Sequence, residues 1–122
     1  MARVLVVDDD AGGLEIRKLV LEREGHQVTI ATDSEAARSA FRSMEPETVV
    51  MDVRLPLAED GLRLIREFRG DRPSVRIVIL SGSSADLDRR EEAGMVDEIL
   101  TKPVRSEILV RAVESSLGQA GS

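Results

Sequence analysis

The chain has 122 residues, a formal net charge of −6 and no cysteine. That length suits one domain with a real core. The acidic balance opposes binding of nucleic acid or an anionic membrane by this domain itself, and the lack of cysteine excludes disulfides and thiolate metal sites. Apolar residues make up 42% and charged residues 33%, as in soluble globular proteins. No apolar run approaches the ~18 residues of a membrane span, the N-terminus lacks a signal-peptide pattern, and a cytoplasmic location is the default expectation. Phe41 and Phe68 are the only aromatics, too few for a base-stacking platform.

Arg3–Val7 opens as a strand of large and β-branched apolar residues. Leu14 to Glu24 follows with helical spacing at Leu14, Arg17/Lys18 and Leu21, and Gly25 is a C-terminal stop. His26, next to that glycine, reads as an exposed loop residue. Gln27–Ala31 alternates weakly and reads as the second strand. Thr32 or Ser34 can cap a helix over Glu35–Met44, whose Ala37, Phe41 and Met44 share a face. Pro46 ends it. Thr48–Asp52 is the third strand, with Pro56 in the loop after it, and Leu62, Ile65 and Phe68 form the inner stripe of the next helix.

Val75–Leu80 is the fourth strand. Ala85–Ala93 reads as a very polar helix with Leu87 its only large apolar residue, hence weakly held. Val96–Thr101 is the fifth strand. Ile108, Leu109, Ala112, Val113 and Leu117 give a terminal helix its apolar face. The domain is expected over residues 1–117, with 118–122 a frayed tail or the start of a linker.

Five strands alternating with five helices predict an α/β fold: a three-layer (βα)5 arrangement with a doubly wound, five-stranded parallel sheet. In such sheets the ligand crevice lies past the carboxyl ends of the strands. Four strands here end in reactive residues: Asp8-Asp9-Asp10, Asp52, Ser81 and Thr101-Lys102. Clustered carboxylates repel unless a cation or proton intervenes. An oxygen-rich set suits Mg²⁺, which takes one or two carboxylates and keeps several waters. An aspartate can also act as a nucleophile toward phosphorus, with Lys102 as a point charge and Ser81 as a hydroxyl donor. Asp10 is explained by helix capping alone.

Four motifs occur in one order: Val4-Leu5-Val6-Val7-Asp8-Asp9-Asp10, Met51-Asp52-Val53-Arg54-Leu55-Pro56, Ile79-Leu80-Ser81-Gly82 and Leu100-Thr101-Lys102-Pro103. In these the chain resembles, along essentially its whole length, the receiver domain of two-component response regulators, a chemotaxis-regulator-like and flavodoxin-like fold. The resemblance implies a phosphoacceptor signalling switch in a phosphorelay, a phosphoprotein that assists only its own phosphoryl transfer and dephosphorylation. Asp52 matches the phosphoacceptor, and Asp9 the direct ligand of Mg²⁺ (or Mn²⁺). Asp8 matches the acid that holds the metal through water, and the Arg54 backbone carbonyl a further ligand beside Asp52. Lys102 matches the lysine that pairs with the phosphoryl group, Ser81 the switching hydroxyl and Gly82 an amide donor. The Lys102-Pro103 peptide is often cis in the family. The implied partners are a histidine kinase or phosphotransfer protein, an effector domain or downstream protein, and a second copy in a homodimer.

The family pattern is not matched everywhere. Ile99 stands where the family commonly carries the Tyr or Phe of its switch, and isoleucine is smaller and stiff at χ1. The loop from Pro56 to Gly61 and the stretch from Gly94 to Lys102 each run one residue longer than usual. Arg54 and Ser83 occupy positions that tune phosphate lifetime in the family. Two alternatives follow. One is a phosphorylation-independent docking domain. The other is a haloacid-dehalogenase-like phosphatase, matched by Asp8-x-Asp10, Ser81 and Lys102 but without room for its later acidic pair.

Overall fold

In the computed structural model, which describes residues 2–55, 57–82, 87 and 91–120, the apolar runs form one parallel sheet. Its strands are β1 (Arg3–Val7), β2 (Gln27–Ala31), β3 (Thr48–Asp52), β4 (Arg76–Ser81) and β5 (Glu98–Thr101), in the order β2-β1-β3-β4-β5. The helices are α1 (Ala11–Arg23), α2 (Ser34–Met44), α3 (Ala58–Asp71) and α4 (Ser106–Ala120).

Alternation along the strands sends side chains into two separate cores. Leu5, Val7, Val49, Met51, Ile77 and Ile79 pack with α2 and α3. Val4, Val6, Val50, Val78 and Leu80 pack with α1 and α4. The expected doubly wound, three-layer α/β fold is therefore present, and the strand order reverses between β1 and β3, the topological switch point.

The helix ends follow local chemistry. The Asp10 side chain accepts from the Gly12 amide, so α1 begins three residues before the first apolar position, Leu14. It stops where Gly25 takes φ +90°, a left-handed value that glycine adopts without a Cβ penalty. The cap of α2 is Asp33, which accepts from the Ala36 amide at 2.7 Å, rather than Thr32 or Ser34. A carboxylate is the stronger acceptor at that position. Stacked rings of Phe41 and Phe68, 4.1 Å between centroids, join α2 to α3.

His26 is not exposed: only 5% of its surface is open. The Gly25 turn directs the ring inward, where Nδ1 accepts from the Ala2 amide at 3.0 Å and Nε2 meets Glu114 Oε2 of α4 at 3.2 Å. Strand β4 includes Ser81, and β5 starts at Glu98 rather than Val96. Most of the polar helix expected over 85–93 lies outside the described residues, as do Pro56, Ser83 and the last two positions of the tail; Glu91–Met95 form a 3-10 helix, and Leu87 is buried. Helix α4 continues through Gly118 to Ala120. Among the described residues no helix is long and apolar enough to cross a membrane.

Candidate functional site

Strand register brings the reactive residues to one edge. Val7 pairs with Met51, Met51 with Ile79, and Ile79 with Ile99, so these four residues form one row across the sheet. Asp8 and Asp52 each stand one residue past that row. Ser81 stands one further, opposite Thr101. Lys102 follows, its amide donating to the Ser81 carbonyl at 2.8 Å. The crevice predicted from sequence is thus assembled by ladder register rather than by any single loop.

Asp8 is the most enclosed acid of the group, 2% exposed. Its Oδ1 accepts from the Asp10 amide at 3.0 Å, and its Oδ2 accepts from Arg17 Nη1 at 2.6 Å. Lys102 Nζ lies 3.8 Å from the same Oδ2. Burial opposes ionisation of Asp8, but the Asp10 amide, the Arg17 hydrogen bond and charge, and Lys102 outweigh it and hold the carboxyl below its ordinary value of 3.8. Asp52 is buried at the end of β3; its Oδ1 accepts from the Arg54 amide at 3.0 Å, and its Oδ2 is paired directly with Lys102 Nζ. Lys102 therefore ties β5 to β3 and, more loosely, to β1. The Lys102–Pro103 peptide is cis.

Asp9 is exposed beside these acids. Desolvation raises its pKa, as do a hydrogen bond to Asp8 and the negative charges of Asp8 and Asp52. The site thus carries surplus negative charge at the solvent edge. No three acids or histidines among the described residues converge as a ready-made metal cage. A small hard cation does not need one, since Mg²⁺ takes one or two carboxylates and keeps its waters. Asp8, Asp9 and Asp52 offer oxygen donors only, and beyond burial it is the negative charges of Asp8 and Asp52 that raise Asp9, so the donor set fits a small hard cation such as Mg²⁺. Asp10, which the phosphatase reading requires in the site, is committed to the N-terminus of α1.

Ser81 is buried at the end of β4, and Gly82 follows it, with no atom of the described residues beyond its chain neighbours within 4 Å of where a Cβ would stand. Ile99 keeps 40% of its surface open on β5. Two contributors escaped the sequence reading. Arg17 shared the helical spacing of Leu14 and Leu21 and passed as part of that stripe, although a basic residue on an inward-facing row was the available signal. Gly61 marked only a loop length; in the structure it seats α3 against the backbone of Val53, directly after the Asp52 strand.

A profile of the response regulator receiver domain matches residues 4–114. The chain belongs to this family. Receiver domains are signalling parts of two-component systems rather than catalysts with turnover. The transcriptional regulatory protein CseB of Streptomyces coelicolor is 38% identical over 97% of this chain and 51% of its own length. The DNA-binding response regulator MtrA of Mycobacterium tuberculosis is 34% identical over 94% of this chain and 50% of its own. The receiver domain thus spans about half the length of these curated relatives. Among solved structures, a response regulator receiver domain protein from Clostridium thermocellum superposes with a TM-score of 0.86 at 27% identity, covering 99% of this chain and 98% of that one. The response regulator TrrA of Thermotoga maritima, solved with Mg²⁺ and BeF, gives 0.84 at 28% identity over 94% and 98%.

Proposed function

We propose that this receiver domain accepts a phosphoryl group on Asp52 from a histidine kinase or phosphotransfer protein, with Mg²⁺ held by Asp8, Asp9, Asp52 and the Arg54 carbonyl. The observation that carries the reading is the pairing of Asp52 with Lys102 beside buried Asp8, at the strand ends of the switch point. A carboxylate oxygen of Asp52 forms the new O–P bond as the P–N bond to the donor imidazole breaks, the electron pair leaving with nitrogen. Bound Mg²⁺ supplies charge neutralisation for the phosphoryl oxygens. The Arg54 amide fixes the orientation of the acceptor carboxylate, and Lys102 exchanges its partner from that carboxylate to the phosphoryl group. The Ser81 hydroxyl and Gly82 amide serve as further donors.

Release of Lys102 from Asp52 loosens a tie between β5 and β3 and shifts the population toward a form that a partner binds. Of the half-covered relatives, CseB is named a transcriptional regulatory protein and MtrA a DNA-binding response regulator, which supports an output in transcription, delivered through another domain or protein. The test is intact-mass analysis after incubation with acetyl phosphate and Mg²⁺. The wild type should gain one phosphoryl group and Asp52→Asn none; an equal gain by Asp52→Asn removes the assignment. A phosphorylation-independent docking domain is the second reading, favoured by Ile99 in place of an aromatic switch residue. Amide spectra unmoved by beryllofluoride with Mg²⁺ would decide for it.

A further inference from the structure

Arg17 stands between the two fully buried residues of α1, Leu14 and Leu21, one turn from each. An apolar side chain belongs at such a position on a helix that covers a sheet. Instead a guanidinium reaches the strand ends and donates to Asp8 Oδ2 at 2.6 Å, with 19% of its side chain exposed. The acceptor belongs to the most enclosed carboxylate of the cluster, and Lys102 Nζ lies 3.8 Å from the same oxygen. Asp8 is therefore occupied by two cations of the chain itself.

The charge balance changes accordingly. Asp8, Asp9 and Asp52 formally carry three negative charges, and Lys102 and Arg17 carry two positive ones. One negative charge remains; without Arg17 there would be two. A divalent cation entering here meets a weaker field, and a carboxylate whose Oδ2 is already hydrogen-bonded. Direct or water-mediated coordination at Asp8 has to share or displace that hydrogen bond.

Resting on the Mg²⁺ reading above, we propose that Arg17 is a resident counter-cation that competes with the divalent cation for Asp8 and sets a weak cation affinity at this site. It acts as a positioning residue, since it works through Asp8. By linkage the competition is reciprocal: cation binding weakens the hold of Arg17 on Asp8 to the same extent. The end of α1 nearest the site thereby becomes sensitive to cation occupancy.

The experiment is calorimetric titration of Mg²⁺ into the full chain and into Arg17→Gln, Arg17→Leu and Arg17→Lys, with urea midpoints recorded for each. Removal of a close, partly buried charge should tighten Mg²⁺ binding in the Gln and Leu variants by on the order of tenfold. Arg17→Lys, which keeps the charge, should stay nearer the wild type. Arg17→Gln keeps a polar, hydrogen-bonding side chain without the charge, so it answers the question if Arg17→Leu fails to fold. Equal or weaker Mg²⁺ binding by a folded Arg17→Gln protein, whatever its stability, overturns the inference while leaving the metal site standing. Absence of Mg²⁺ binding by the wild type and by every variant overturns the metal reading and the inference with it.

Discussion

A side-chain carbon added to Gly61 would stand 1.9 Å from the carbonyl oxygen of Val53. The first turn of α3 lies directly on the backbone that follows Asp52, and only a missing Cβ permits that approach. Gly61→Ala must push α3 or the loop aside. The expected cost is about 1–3 kcal/mol or more, as for overpacking elsewhere, measured by urea denaturation. Because the loop carries Arg54, phosphorylation from acetyl phosphate should slow as well. A loss below ~0.5 kcal/mol, the range of ordinary surface changes, would show that α3 can lift away freely.

Asp8 and Asp9 shift in opposite directions, and their effects on stability have opposite signs. The folded pKa of Asp8 is below its ordinary 3.8, so its contribution is complete above that pH and is lost as pH falls through the lower folded value. Asp9 is raised, so folding favours its protonated form, and stability falls as pH climbs from 3.8 through the higher folded value. Asp9→Asn should therefore raise the urea midpoint at pH 7 in metal-free buffer. Adding Mg²⁺ should stabilise the wild type more than the variant. If Asp9→Asn lowers the metal-free midpoint, the acids are not in surplus.

Lys102→Ala leaves the buried Asp52 carboxylate without its direct partner. Lys102 is itself about one-third exposed, so solvent screening reduces the cost to about 1–2 kcal/mol, below that of breaking a fully buried pair. Adding Asp52→Asn should restore part of the loss, giving a coupling of about 1 kcal/mol in a double-mutant cycle read by chemical denaturation. Additive effects would mean that the two side chains do not hold each other.

His26→Ala should cost about 1–3 kcal/mol, because the buried Ala2 amide loses its acceptor and α4 loses its link through Glu114. Glu114→Gln, which keeps a hydrogen-bond acceptor near the ring, should cost less. Equal midpoints for His26→Ala and the wild type would contradict the seating of that ring.

The sheet, its order of elements and the strand-end acids were legible because apolar runs and the residues that stop them lie next to each other in sequence. Asp8, Asp52, Ser81 and Lys102 could be nominated singly, but their convergence needed the register that sets Val7 beside Met51 and Ser81 beside Thr101. His26 was misjudged because a residue after a helix-ending glycine is usually solvated; its burial depends on Ala2 and Glu114, 24 and 88 residues away. Asp33 was passed over for hydroxyl caps of similar preference, a choice that local sequence leaves nearly even. Arg17 hid within a helical stripe because periodicity records spacing and not the partner a long side chain finds.

Ile99 sits open on β5, the outermost strand of the sheet next to the Lys102 loop. The chain holds neither tryptophan nor tyrosine, and its two phenylalanines are stacked together between α2 and α3. The protein is consequently almost dark in the near ultraviolet. An indole placed at position 99 would be its sole emitter, so a steady-state fluorescence trace would follow that one edge of the sheet with no background from the rest of the molecule.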